Sequence, residues 1–339
     1  MRSLETETNA PVESDPSPWE ARAFGVPFRG QNRVIGLVPV DDAGPGARTT
    51  IESSTPAILE QQWAGRGELV REAIRSDGMV LLRILQDDEL GFHFESTFFG
   101  DFAISRDGLL VHCAPRVPAG RLPWEWQRVL VSSVLPSVAA IRGFGIFHAS
   151  AVTLEDRAIA FLVHSGGGKS SVALNLVLRG AGFLADDVVA ASLDEQVTAH
   201  PGATMAKLAP SEMATMSEEE RERLGQLIGI PEREKAVIEV TSAARPAPLA
   251  AMYFLERGTT TSGAQIAPIT ADPVLLLGSA HAFGVTTPAR LKTQLDVCAR
   301  VAAEVPTFRI SVPSTSAARE VAGVVEAHVR SSVPGKPAS

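Results

Sequence analysis

The sequence predicts an α/β protein in which a larger α/β domain, residues 143–330, follows a smaller β-rich α+β module, residues 21–142. Three observations lead there. A glycine-rich run, Val163-His164-Ser165-Gly166-Gly167-Gly168-Lys169-Ser170, separates a strand-like apolar stretch from a helix-like one. Short β-prone segments punctuated by Gly, Pro and Asp dominate the chain before it. The 339 residues are 45% hydrophobic and 21% charged, enough to bury a sizeable core and to hold two domains.

Residues 1–20 mix Glu, Asp, Ser, Thr and Pro without an apolar h-region, and read as a disordered tail instead of a signal peptide. Val34 to Val40 reads as a strand, Asp41 to Arg48 as a loop, and Ile58 to Ile74 as a helix. Asp77-Gly78 turns into the apolar run Met79 to Leu85. Phe92, Phe94 and the stretch Phe98 to Ile104 alternate as strands do, and Arg106-Asp107-Gly108 turns the chain into Leu109 to Cys113. Pro123 to Ile141 reads as a helix with Pro136 as a kink or break, and Gly143 stops it.

Gly145 to Thr153 and Arg157 to Val163 form a β-hairpin about Leu154-Glu155-Asp156, delivering the chain to the glycine-rich run. Lys169 to Leu178 reads as a helix ended by Gly180 and Gly182. Phe183 to Ala185 is a short strand before Asp186-Asp187, and Val188 to Ala191 and Val197 to Ala199 are further strands. Ser217 to Leu227 is a helix with Ser217 as cap and three Glu in its first turn. Ala236 to Val240 and Leu249 to Leu255 are strands, Val274 to Ala282 and Ala289 to Glu304 helices, Thr307 to Val312 an edge strand, and Ser316 to Arg330 a last helix. Residues 331–339 read as a second disordered tail.

The net charge of −8 excludes a general nucleic-acid binder, which needs a basic surface. Two cysteines, Cys113 and Cys298, are too few for a disulfide framework, so a cytoplasmic location is expected. The longest apolar segment, Val129 to Ile141, falls short of a membrane span.

The glycine-rich run has the chemistry of a phosphate cradle. Three glycines let backbone N–H groups converge, and the following helix adds its positive end. Ser165, Gly166, Gly167, Gly168, Lys169, Ser170 and Ser171 are the expected nucleotide contacts, with Lys169 on the terminal phosphates and Ser170 on Mg²⁺. Val163 occupies the first glycine position of the G-x-x-x-x-G-K-[ST] pattern. It fits if the chain is extended there. Phosphoryl transfer also needs a carboxylate for the metal and a base for the acceptor, and Asp186-Asp187 supplies two candidates at a strand end. His148 alternates with Phe147 and Ala149, so it faces either the site or the core.

His148-Ala149-Ser150, a strand, Ser165 to Ser171, Ala173-Leu174, Arg179-Gly180 and Leu184-Ala185-Asp186-Asp187-Val188 follow one another in an order that resembles the HPr serine kinase/phosphorylase family and its diverged relatives. The resemblance is specific over His148 to Ala191 and loose elsewhere. It implies a P-loop catalytic domain like that of HPr kinase and phosphoenolpyruvate carboxykinase, with ATP and Mg²⁺ as cofactors. It further implies Lys169 on the β and γ phosphates, Ser170 and Asp187 on the metal, Asp186 as general base and His148 assisting it. Lys235 resembles a basic position of the diverged branch, although by itself it reads as a solvated lysine at a strand edge.

Val163 departs from the family pattern, and Glu256-Arg257-Gly258 reads as readily as a strand end and turn as a counterpart of the signature used for dephosphorylation. Phosphorylase activity and HPr as substrate are therefore not expected. The expected activity is that of an ATP-dependent kinase acting on a hydroxyl, most simply a Ser of a peptide or protein, a ribosomally made peptide among them. A small-molecule hydroxyl kinase and a nucleotide-binding regulator without turnover are the alternatives. The N-terminal module is expected to position the acceptor or mediate assembly, a homo-oligomer being one form.

Overall fold

The computed structural model describes residues 17–116, 124–163, 168–230, 235–241, 244–258, 260, 263–281 and 284–332. Its first part is built from β1 (Trp19–Ala23), β2 (Val26–Gly30), β3 (Thr49–Ser53), α1 (Pro56–Trp63), β4 (Glu68–Ile74), β5 (Val80–Asp87), β6 (Gly91–Ser96), β7 (Gly100–Ile104) and β8 (Leu110–Pro115). The strands form one eight-stranded sheet in the order β1-β2-β3-β8-β7-β6-β5-β4. β1 starts inside the tail expected to lack structure, because its residues pair with all of β2 and bury Ala21 and Ala23.

The helix expected over Ile58 to Ile74 stops at Trp63. Thr55 caps its start by accepting from the Ile58 N–H, and Pro56 occupies its first turn. Gly65 and Gly67 then take φ of +69° and +84°, which no helix permits, and Glu68–Ile74 pairs with β5 instead. Pairing with a neighbour overrode a helical composition.

Helix α2 (Trp126–Val129) widens into a π-helical segment, Leu130–Val134, before α3 (Leu135–Ile141). Pro136 lies in the first turn of α3 and has no N–H to donate, so the break expected there is a local widening within a continuing helix. Leu130, Val134 and Val138 pack with Phe28, Phe94 and Phe102 of the first sheet and with Ile146, Val188 and Val237 of the second half. One core therefore joins the two parts of the chain.

The second part comprises β9 (Gly145–Phe147), β10 (Ala149–Leu154), β11 (Arg157–Leu162), α4 (Lys169–Leu178), β12 (Gly182–Ala185), β13 (Val189–Leu193), β14 (Val197–His200), β15 (Met205–Leu208), α5 (Pro210–Met213), α6 (Glu218–Leu224), β16 (Gly225–Gly229), β17 (Ala236–Val240), β18 (Ala247–Arg257), β19 (Gln265–Pro268), α7 (Pro273–Leu277), α8 (Pro288–Glu304), β20 (Thr307–Val312) and α9 (Ala318–Ser332). A nine-stranded sheet runs β12-β10-β11-β18-β14-β13-β9, with β20 pairing β18 and β19. A small sheet, β15-β17-β16, stands beside it. The helix expected over Ser217 to Leu227 ends at Leu224, where Gly225 at φ +146° turns the chain into β16.

The large sheet is mixed: β11 and β20 run parallel to β18, and the other pairings are antiparallel. Alternation along β11 splits its side chains between two cores. Ile159 and Phe161 face α4 and α9, while Ala158, Ala160 and Leu162 face Val297, Cys298 and Val301 of α8. Residues Lys169 to Val177 of α4 are all buried, as befits a helix covered by both sheet and α9. Among the described residues, no helix is long and apolar enough to cross a membrane.

Candidate active site

Strand direction gathers the site. β10 is antiparallel to both β11 and β12, so those two point the same way, and β18 runs parallel to β11. Leu162, at the end of β11, pairs with Ala149 at the start of β10, and Ala151 pairs with Ala185 at the end of β12. One end of the sheet therefore receives His148, Val163, Asp186-Asp187 and the end of β18. The hairpin strand expected over Gly145 to Thr153 is broken at His148, the one residue between β9 and β10. Those two strands lie far apart in pairing order, so the sheet curves until they meet there.

His164, Ser165, Gly166 and Gly167 lie outside the described residues. Val163 has a φ that is not positive and packs against the α4 core, so no glycine is required at its position. Gly168 is the N-cap of α4 at φ +91°, and no side chain caps that helix. A Cβ at Gly168 would lie 2.9 Å from a terminal nitrogen of Arg257, which places that guanidinium against the start of α4. Ser170 is buried in the first turn. Ser171 donates its hydroxyl to Glu212 Oε2 at 2.5 Å, which directs it toward α5.

Lys169 Nζ lies 3.0 Å from His148 Nε2 and 3.9 Å from Asp187 Oδ1. His148 Nδ1 lies 2.9 Å from the carbonyl of Asp187. A lysine ammonium only donates and a carbonyl only accepts, so this network places the imidazole proton on Nδ1 and leaves Nε2 as acceptor for Lys169. His148 thus touches the Asp187 backbone, not the carboxylate that the resemblance has it assist. Its backbone N–H donates to the Ser279 carbonyl at 2.7 Å, and its ring stacks on His281 at 5.1 Å between centroids.

The aspartates face different partners. Asp186 Oδ1 accepts from the Ser150 hydroxyl at 2.5 Å, and Oδ2 accepts from the Lys207 backbone N–H at 3.0 Å. Asp187, in the left-handed region at φ +64°, holds the Lys207 ammonium at 2.6 Å through Oδ2. Asp is one of the few residues that tolerate this conformation, and it turns adjacent carboxylates away from strict alternation.

Burial lowers the pKa of Lys169, an effect the two aspartates oppose. Burial also lowers that of His148, and the Lys169 charge adds to it. For Asp187 burial acts upward, yet the Lys207 charge and hydrogen bond, with Lys169 beyond them, hold the carboxyl down at about 2. His281 is pushed to about 3, chiefly by burial.

Lys207 and Arg257 join these residues from outside any motif of the sequence. One signal was available: the chain has five lysines, and the charges of Lys207 and Lys235 both act on Lys169. Three of five lysines thus converge, which random placement does not favour.

No protein-family model matches the chain, and no curated protein does. Among solved structures, the chain is similar to the Hpr(Ser) kinase/phosphatase from Coxiella burnetii. The similarity covers 55% of this chain and 88% of that one, at 12% sequence identity and a TM-score of 0.32. So distant a likeness decides nothing about chemistry, and the site is read from its own side chains.

Those side chains fit a nucleotide. Lys169, Lys207, Lys235, Arg257 and an uncapped helix N-terminus outnumber Asp186 and Asp187, which suits a polyphosphate. Among the described residues, no group of three or more His, Cys, Asp or Glu is placed to hold a metal ion. Mg²⁺ characteristically takes one or two carboxylates, water and substrate phosphates, so the Asp187 carboxylate is a donor of the right kind for it.

Proposed function

We propose that this protein is an ATP-dependent kinase, a phosphotransferase with an alcohol group as acceptor, acting most simply on Ser of a peptide or protein. The observation that carries this reading is the meeting of a phosphate-loop lysine with a histidine and an aspartate pair at one sheet end, Lys169 Nζ being 3.0 Å from His148 and 3.9 Å from Asp187. A pure nucleotide binder has no use for a second carboxylate held by neutral donors.

The N-terminus of α4 with Gly168, Lys169 and Ser170, preceded by Ser165, Gly166 and Gly167, would hold the phosphates, and Ser170 and Asp187 the Mg²⁺. When bound, MgATP supplies the phosphoryl group and the divalent charge that offsets its negative charge. Lys169 contributes a cation that burial has stripped of water, and His148 Nε2 keeps that ammonium aimed. Asp186, whose oxygens accept from a hydroxyl and a backbone N–H, takes the proton from the acceptor hydroxyl as general base. Asp187, ionised between two ammonium groups, serves the metal.

The test is mass spectrometry of candidate Ser-bearing peptides incubated with ATP and Mg²⁺. A gain of one phosphate that Lys169→Ala abolishes supports the reading. Tight ATP binding by a protein in which Asp186→Asn changes no measurable activity would sink it and leave a nucleotide-binding regulator.

A further inference from the structure

Lys207 contacts both aspartates from a separate sheet. Its backbone N–H donates to Asp186, and its ammonium lies 2.6 Å from Asp187 Oδ2. The two contacts differ in permanence. The backbone of β15 is pinned by pairing with β17, with Lys207 opposite Val237, so the bond to Asp186 stays with the fold. The ammonium rides on a flexible four-carbon stem and is 30% exposed. Asp187 has less freedom, because its backbone is left-handed and its carbonyl is held by His148.

A divalent cation on Asp187 would bind the same carboxylate whose Oδ2 holds the Lys207 ammonium at 2.6 Å. Two cations cannot share it closely without strong repulsion, so one must leave, and the side chain able to leave is Lys207. We infer that the Lys207 ammonium and a divalent cation are alternative partners of the Asp187 carboxylate. Metal alone must displace Lys207 with nothing to receive its charge, and binds weakly. Metal arriving with a nucleoside triphosphate brings phosphate oxygens that accept the released ammonium, and binds well. Lys207 is thereby a positioning residue that couples metal entry to nucleotide entry. This inference rests on the reading of Asp187 as the metal-binding carboxylate.

The test is a titration of the nucleotide-free full chain with Mn²⁺, read by the electron paramagnetic resonance of free Mn²⁺. Lys207→Met is expected to bind Mn²⁺ about threefold to fivefold more tightly than the wild type, the effect of losing one competing ion pair. Lys207→Arg, which keeps the charge, should stay near wild type. Affinity in Lys207→Met no greater than in wild type, including no binding by either, overturns the inference. If Lys207→Met does not fold, acetylation of the wild type decides, mapped by peptide mass spectrometry. Lys207 should become several-fold more reactive on adding Mn²⁺ while Lys292, paired with Asp296 on α8, does not change; an unchanged Lys207 overturns the inference. Neither readout involves phosphate transfer, so failure here and failure of the kinase reading are separable.

Discussion

The ammonium of Lys169 donates to Nε2 of His148 across 3.0 Å, tying the first residue of α4 to the one residue between β9 and β10. The bond exists only while His148 is neutral. Burial lowers the pKa of His148, so the neutral form persists at and below neutral pH. Transfer activity should therefore be flat around pH 7 and fall in acid as His148 protonates and repels Lys169. In His148→Gln, whose amide oxygen can accept the same bond, activity should be retained better than in His148→Ala across a pH–rate series.

Asp186→Asn keeps the shape of the side chain and removes its basicity. Turnover should drop by about 10²–10⁴-fold, the usual contribution of general base catalysis, with ADP affinity close to wild type. Equilibrium ADP titration beside single-turnover kinetics separates the two effects. A matching loss of ADP affinity would assign Asp186 to binding.

Gly168→Ala places a methyl 2.9 Å from Arg257 and forces an L residue to φ +91°. The strain should cost about 1–3 kcal/mol and disturb the start of α4 where phosphate would bind. Calorimetry and nucleotide titration should show a lower Tm and weaker binding together.

Lys169→Met should abolish transfer without destabilising the fold. Burial lowers the pKa of Lys169, so its charged form is disfavoured in the folded state, and a neutral side chain of similar length removes that penalty. Asp187 keeps its Lys207 partner at 2.6 Å. Thermal unfolding at pH 7 should give a Tm equal to or above wild type.

His93 stacks on Trp63 at 5.0 Å, is buried, and has its pKa lowered by that burial from 6.5 to about 4. The unfolded chain binds this proton more readily than the folded one. Stability from His93 is therefore complete above pH 6.5 and is lost as pH falls toward 4, by on the order of 3 kcal/mol. Unfolding in denaturant at a series of pH values should show His93→Phe losing less stability over this interval than wild type.

Much of the C-terminal half was readable from local chemistry. The glycine run flanked by a strand and a helix, the Asp pair after a short strand, and the Ser217 cap with its acidic first turn each encode a feature whose determinants lie within a few residues. Val163 was interpretable on the same terms, since a chain without positive φ there needs no glycine. The N-terminal half was less readable. Ile58 to Ile74 has helical composition throughout, and only the positive φ of Gly65 and Gly67 and pairing with β5 divide it into helix and strand.

What the linear chain could not reveal is the company these residues keep. Local preferences and motif spacing determined a glycine-rich run before a helix, two carboxylates and a histidine, and their order along the chain. Tertiary structure decided that Lys207 and Arg257, 38 and 88 positions beyond Lys169 in the numbering, stand beside them, and that His148 grips a lysine and a backbone carbonyl instead of a carboxylate. The reason is physical. Spacing along one strand or helix follows from its repeat, whereas convergence of side chains depends on which strands pair and in which direction, and that is chosen by burial of the whole core.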